Sequence, residues 1–172
     1  MNRPFSLPGP LNEFLCIDVV ESGEFHVGDL FRRKFGHSPP DFGTHIVVFY
    51  RSASRGLYVA SYLHLWTTGT IGLIGGGCTD GRAIRLMSEA ERSAITDAGG
   101  LLLQTLRFAF DRNEERLQAF FGHCGNDRAL AVDLQAGFLR TEDPNLLVRW
   151  NRNFDDATRA SLFQQALALG PF

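Results

Sequence analysis

A run of eleven residues, Gly72-Leu-Ile-Gly-Gly-Gly-Cys-Thr-Asp-Gly-Arg82, carries five glycines behind an apolar stretch. Loops rich in glycine can cradle phosphate, so two phosphate motifs are the first comparison. A P-loop needs G-x-x-x-x-G-K-[ST]. Gly72 to Thr79 puts Cys78 where the lysine belongs and so loses the cation that meets the β/γ-phosphates. A dinucleotide fingerprint needs G-x-G-x-x-G. Gly75 and Gly77 supply two of its glycines, and Asp80 stands at the third. Both motifs fail. The run reads instead as a strand that carries a bulge, or that lets another backbone approach closely, before a turn at Asp80-Gly81. A strand of this kind also leaves room for a ligand on its backbone groups.

The titratable groups with possible chemistry are His64, Asp80, His123, Cys124 and Asp133. His64 lies mid-strand on a face with Tyr58, Tyr62 and Trp66, which reads as a packed aromatic face or a pocket wall. Cys124 follows His123, but neighbours on a strand point to opposite faces, which argues against a Cys-His pair in contact. Asp80 reads as a turn residue and Asp133 as a solvated helix residue. The basic groups that could meet phosphates, "FRRK" from Phe31 with Arg82, Arg85 and Arg92, read as solvated surface.

The chain has 172 residues and a net charge of -2, which suits one domain and gives no argument for nucleic acid as a partner. Apolar residues make up 44% and there are 15 phenylalanines, so an aromatic core is expected. No apolar run is long enough to cross a bilayer, and the start, "MNRPFSLPGPLNEF", lacks the apolar core of a secretion signal. Cys16, Cys78 and Cys124 are odd in number and widely spaced, so neither a zinc site nor a disulfide framework is expected, and the cytoplasm is the expected compartment.

Strands are expected over Phe14–Val20, His45–Arg51, Leu57–Thr68, Thr70–Cys78 and Leu117–His123, with a hairpin of Phe138–Arg140 and Leu146–Trp150. Helices are expected over Glu24–Phe35, from a capping box at Ser88–Glu91 to about Phe110 with an interruption at Gly99-Gly100, and over Asn126–Ala136 before a Gly137 cap. A last helix, capped by Asp155 or Asp156, ends near Leu169. Its stripe of Leu162, Phe163, Ala166 and Leu167 docks on its own domain or on a second copy in a homodimer. The class is α/β (α+β): one domain over 1–172, with a mixed, mostly antiparallel sheet covered on both faces, a core of about 14–150 and the final helix over 155–170.

This element order, the small residues Ala98-Gly99-Gly100 before "LLLQTLRFAF", the strand "LQAFFGH", and "NDRALAVDLQAGF" as an N-x-x-A...GF segment together resemble the GCN5-related N-acetyltransferase superfamily. The resemblance covers roughly Phe14 to Trp150 and implies acetyl-CoA as co-substrate, bound where two parallel strands splay apart. It implies backbone donors to the pyrophosphate from Gly99, Gly100 and Leu101, and Asn126 beside the pantetheine or the phosphates. Gly76, Gly77 and Cys78 would lie beside the thioester, and His123 would act in proton transfer. The family's loop, [Q/R]-x-x-G-x-[G/A], is not kept: ended at Gly100 it has Ile95 and Ala98, and ended at Gly99 it has Ala94 and Asp97. The family's frequent tyrosine acid falls on Asp133. The connection from Gly81 to Thr96 is longer than the family's usual one.

Two functions follow from the resemblance. One is transfer of an acetyl group to a small-molecule amine or a protein amino group. The other is a non-catalytic relative that binds another ligand or a protein partner.

Overall fold

The computed structural model describes residues 5–54 and 56–172. Met1 to Pro4 of the leading segment, and Arg55 in the turn expected over Ser52–Gly56, lie outside the described residues. The elements run α1 (Leu11–Phe14), β1 (Leu15–Val20), α2 (Gly23–Phe35), β2 (Thr44–Arg51), β3 (Leu57–Thr68), β4 (Ile71–Thr79), α3 (Gly81–Leu86), α4 (Glu89–Asp97), α5 (Leu101–Asn113), β5 (Ala119–His123), α6 (Asp127–Gln135), β6 (Leu139–Arg140), β7 (Leu146–Trp150) and α7 (Asp156–Ala168). The sheet order is β1-β2-β3-β4-β5-β7-β6. Every neighbouring pair is antiparallel except β4 and β5.

Strand alternation sends Tyr62 and Trp66 to one face and Leu63 and Leu65 to the other. On the first face α2 packs Val27, Leu30 and Phe31 against Val47, Tyr62 and Cys78. On the same face α7 packs Leu162 and Ala166 against Ile71, Leu73 and Phe121. Thus α7 docks on its own domain. On the second face α5 sets Leu106 and Phe110 against Ile46, Leu63, Leu65, Ile74 and Phe120.

Local signals fix several helix ends. Ser22 caps α2 by accepting from the Phe25 N–H at 3.1 Å. Ser88 and Glu91 form the expected capping box at α4. Asp155 is the cap of α7, accepting from the Thr158 N–H at 2.7 Å. The helical stretch expected from Ser88 to about Phe110 is interrupted at Gly99-Gly100, where an interruption was expected, and forms two helices. Two expectations need correction. The short helices α1 and α3 were not foreseen, since each is too short to show a periodic apolar face. Tyr58 does not share a face with Tyr62: the register slips between Val48 and Phe49, and Tyr58 stacks on Tyr50 instead.

Asp80 does more than turn the chain. Its carboxylate accepts from the Arg82 N–H at 2.8 Å to cap α3, and it takes the Arg33 guanidinium at 2.9 Å. That pair ties α2 to the end of β4.

Under α2 lie two buried histidines. His45 Nδ1 shares a hydrogen bond of 2.8 Å with the Tyr62 hydroxyl, and His64 Nε2–H donates to the Phe42 carbonyl at 2.7 Å. Burial holds both below the ordinary histidine value, with His64 adding to the effect on His45 and the Phe42 bond opposing it on His64. Both rings are therefore neutral in the fold. The unfolded chain takes up protons on them below about pH 6.5, and the folded chain does not. Their contribution to stability is complete above that pH and is lost as pH falls through the lower folded values. Urea midpoints are expected to drop from pH 7.5 to pH 5, and His64→Gln to flatten that dependence. Phe120 is fully buried beside Phe110, with ring centroids 4.8 Å apart. Phe120→Ala is expected to cost about 3–5 kcal/mol by urea unfolding.

Candidate functional site

The parallel pairing of β4 and β5 runs from Ile71↔Ala119 to Ile74↔Gly122 and stops there. Beyond it β4 continues through Gly75–Thr79 with no strand on that side among the described residues. The separation begins at the glycine run. Gly76 has φ +61°, and the register between β3 and β4 slips across it, from His64↔Gly75 to Tyr62↔Cys78. The run is thus a strand with a bulge, and the left-handed residue is a glycine because side chains strain that backbone. Gly75 has the second role expected of the run. A side chain there would come within 2.7 Å of the Phe172 backbone carbonyl, so glycine admits a close approach.

A cavity of about 220 Å³ fills the gap. β4 lines it with Gly75, Gly76 and Gly77, and α5 with Leu102 and Leu106. The corner between β5 and α6 adds His123, Gly125, Asn126 and Asp133. The structure therefore brings His123, Gly76, Gly77 and Asn126 together. Cys78 is buried nearby under α2, where burial pushes its thiol up to about 11.

His123 packs edge-on to Phe172 at 4.4 Å between ring centroids. Its Nδ1 is buried and has no hydrogen-bond partner among the described residues. Burial pulls the imidazole below its ordinary value, against the opposing charge of Asp143.

Asp133 was expected to be solvated. It is partly buried on the cavity wall, and burial pushes its carboxyl up to about 6, opposed by a hydrogen bond from the Cys124 thiol. The resemblance marks the position as that of the family's tyrosine acid, but nothing in the local sequence marks the burial, because the face α6 turns inward is set by packing. Cys124 also donates to the Asn126 carbonyl at 3.2 Å and makes no contact with His123 that would pair them.

The start of α5 is built differently from the expectation. The Gly99 N–H donates to the Thr96 carbonyl at 2.9 Å and the Gly100 N–H to the Ile95 carbonyl at 2.8 Å. These two bonds are a Schellman motif closing α4, so both glycine amides are committed. The donors that α5 leaves without an intrahelical partner are those of Leu101, Leu102 and Leu103, and Gly100 offers no side-chain cap. Leu102 faces Gly77 across the cavity. Asn126 spends its side-chain carbonyl on capping α6, accepting from Arg128 and Ala129 N–H at 3.1 and 3.0 Å. Of the basic groups, Arg33 is paired with Asp29 and Asp80, Arg82 with Asp29, and Arg92 with the Met87 carbonyl.

No protein-family model matches the sequence, and no curated protein sequence does. Solved structures do match in shape. The ribosomal-protein-S18-alanine N-acetyltransferase from Escherichia coli superposes with a TM-score of 0.53 at 11% identity, covering 83% of this chain and 97% of that one. The N-acetylglutamate synthase from Neisseria gonorrhoeae, complexed with coenzyme A and L-arginine, gives 0.50 at 13% identity over 80% of this chain. The match spans 33% of the synthase chain. With its mixed sheet, bulged fourth strand and splay beside the fifth, the chain has the fold of the GCN5-related N-acetyltransferases.

Proposed function

We propose that the chain is an N-acetyltransferase that moves an acetyl group from acetyl-CoA to an amine, on a small molecule or a protein. The observation that carries this reading is the opening between β4 and β5, with glycine backbone on one wall and the His123 side of β5 on the other. Acetyl-CoA would supply an acetyl group activated as a thioester. The residues fit it. A cavity of about 220 Å³ has room for the thioester end and part of its arm, not for a nucleotide. The nucleotide end would lie outside, at the first turn of α5. There the N–H groups of Leu101, Leu102 and Leu103 and the helix dipole favour a pyrophosphate. Gly99 and Gly100 aim that turn rather than donate to the ligand.

On β4 the backbone of Gly76, Gly77 and Cys78 has no strand on its β5 side, and its N–H groups would polarise the thioester carbonyl. Asn126, its carbonyl used in the cap, keeps its amide N–H₂ for the arm. His123, neutral near pH 7, would take the proton that an ammonium must lose before it attacks. The reading keeps the cytoplasm as the compartment, where the free thiols of Cys16, Cys78 and Cys124 stay reduced. Among the described residues no helix is long and apolar enough to cross a membrane.

The test is calorimetric titration with acetyl-CoA and with CoA. Micromolar binding is expected. Gly125 lines the cavity, and a side chain there would meet no protein atom within 4 Å. Gly125→Leu is therefore expected to leave the melting temperature unchanged and weaken binding at least about tenfold, by a clash with the ligand alone. No heat, with an unchanged melting temperature at millimolar acetyl-CoA, overturns the transferase and favours a non-catalytic binding module.

A further inference from the structure

Thioester aminolysis needs two proton transfers, and His123 accounts for one. The amine nitrogen becomes nucleophilic when its ammonium proton is removed. The departing sulfur, a thiolate, leaves faster if it receives a proton as the bond breaks. We infer that Asp133 is the catalytic acid of this site, protonating the leaving sulfur, and that Cys124 is the positioning residue that holds its carboxyl toward the cavity. The inference rests on the transferase reading above.

The geometry isolates Asp133 as the acid. It stands on α6 with its side chain on the cavity wall, across from the glycine run. The titratable groups facing the cavity around it are few. The β5 end presents His123, while Cys124 in the corner after it and Asp127, nearly two turns earlier on α6, stand near Asp133 without lining the cavity. α5 presents Leu102 and Leu106, and β4 presents Ile74 beside the glycines, none of them titratable. No basic side chain pairs with Asp133 among the described residues. A carboxyl half out of water with no cation beside it keeps its proton longer, and it titrates at about 6.

The neighbour that moderates this is the Cys124 thiol. Its Sγ–H donates to the Asn126 carbonyl at 3.2 Å, and the thiol also favours the ionised form of Asp133. When Asp133 is ionised the thiol proton serves it. When Asp133 is protonated the thiol proton serves Asn126. The carboxyl thus has a partner in both states and is held in one place through its proton cycle.

The step balances. Asp133 gives its proton to the sulfur, which leaves with the pair of electrons of the C–S bond as the C–N bond forms. The carboxylate left behind takes the proton that the amine nitrogen sheds on becoming an amide. His123 passes the proton it took from the ammonium to solvent. Ammonium and thioester become amide, thiol and one released proton.

The test uses the full chain, acetyl-CoA, and hydroxylamine as the acceptor. Hydroxylamine is neutral near pH 7 and so bypasses the base. Thiol release, corrected for the uncatalysed reaction, gives kcat. Asp133→Asn is expected to bind acetyl-CoA within about twofold of wild type and to lose about a hundredfold in kcat. It is also expected to lose the fall in kcat that wild type shows as pH rises and the acid ionises. Asp133→Glu should keep that fall and recover part of the rate. Carbon-13 NMR of the free protein should show one carboxyl titrating near 6, absent in Asp133→Asn. In Cys124→Ala the same carboxyl should titrate higher, because the ionised form has lost a donor, and the kcat profile should move with it. Unchanged kcat and pH profile in Asp133→Asn, with binding intact, overturns the acid and leaves the transferase standing. Should Asp133→Asn not fold, an unmoved carboxyl and profile in Cys124→Ala overturns the assignment. Wild type that neither binds acetyl-CoA nor releases thiol overturns both readings.

Discussion

The arrangement depends on one short ladder, the four parallel residue pairs between Ile71–Ile74 and Ala119–Gly122. A parallel pair cannot be closed by a hairpin, so the chain must cross over between β4 and β5, and α3, α4 and α5 make that crossing. The ladder ends where the bulge at Gly76 deflects β4. Past that point two strands that began as neighbours expose backbone and side chains to a common gap. The cavity, His123 and the open first turn of α5 all border this gap. None would be available had the pairing continued.

Burial has opposite effects on the two ionisable groups of the gap and one common result. It lowers His123 and raises Asp133, so each is pushed toward its neutral form. The glycine part of the wall is backbone, whose dipoles do not titrate. Charge is concentrated away from the cavity, in the Arg33 pair with Asp80 that ties α2 to β4.

How much of this was legible in the sequence follows from the range of the forces. Caps are local, and Ser88 with Glu91 before α4 and Gly137 at φ +98° after α6 were readable from neighbours within a few positions. The strand positions could be inferred too, because alternation and turn residues are local, whereas the place of each strand in the sheet is not. The glycine pair at 99–100 was visible but ambiguous: a left-handed turn closing one helix and an anion loop opening the next use the same residue type. Long-range facts were not readable. The slip that turns Tyr58 away from Tyr62 depends on β2, and the approach of Phe172 to Gly75 joins residues far apart in sequence. Asp133 looked like any acid on an amphipathic helix until packing placed it beside Cys124.

The ladder also makes the sheet two plates on one seam. β1 to β4 form one plate and β5 with β7 and β6 the other, and among the described residues those four pairs, with the Thr70 and Gln118 hydrogen bonds just before them, join the two edge to edge. Sheets relieve strain by changing twist, and a change of twist here acts like a wedge whose apex is Ile74 and Gly122. A small rotation of one plate is magnified along the gap, so the width of the mouth is set by packing far from it. Substitutions beneath α7 or α2 would then act as adjustments of aperture, altering which molecules fit without touching a group that reacts.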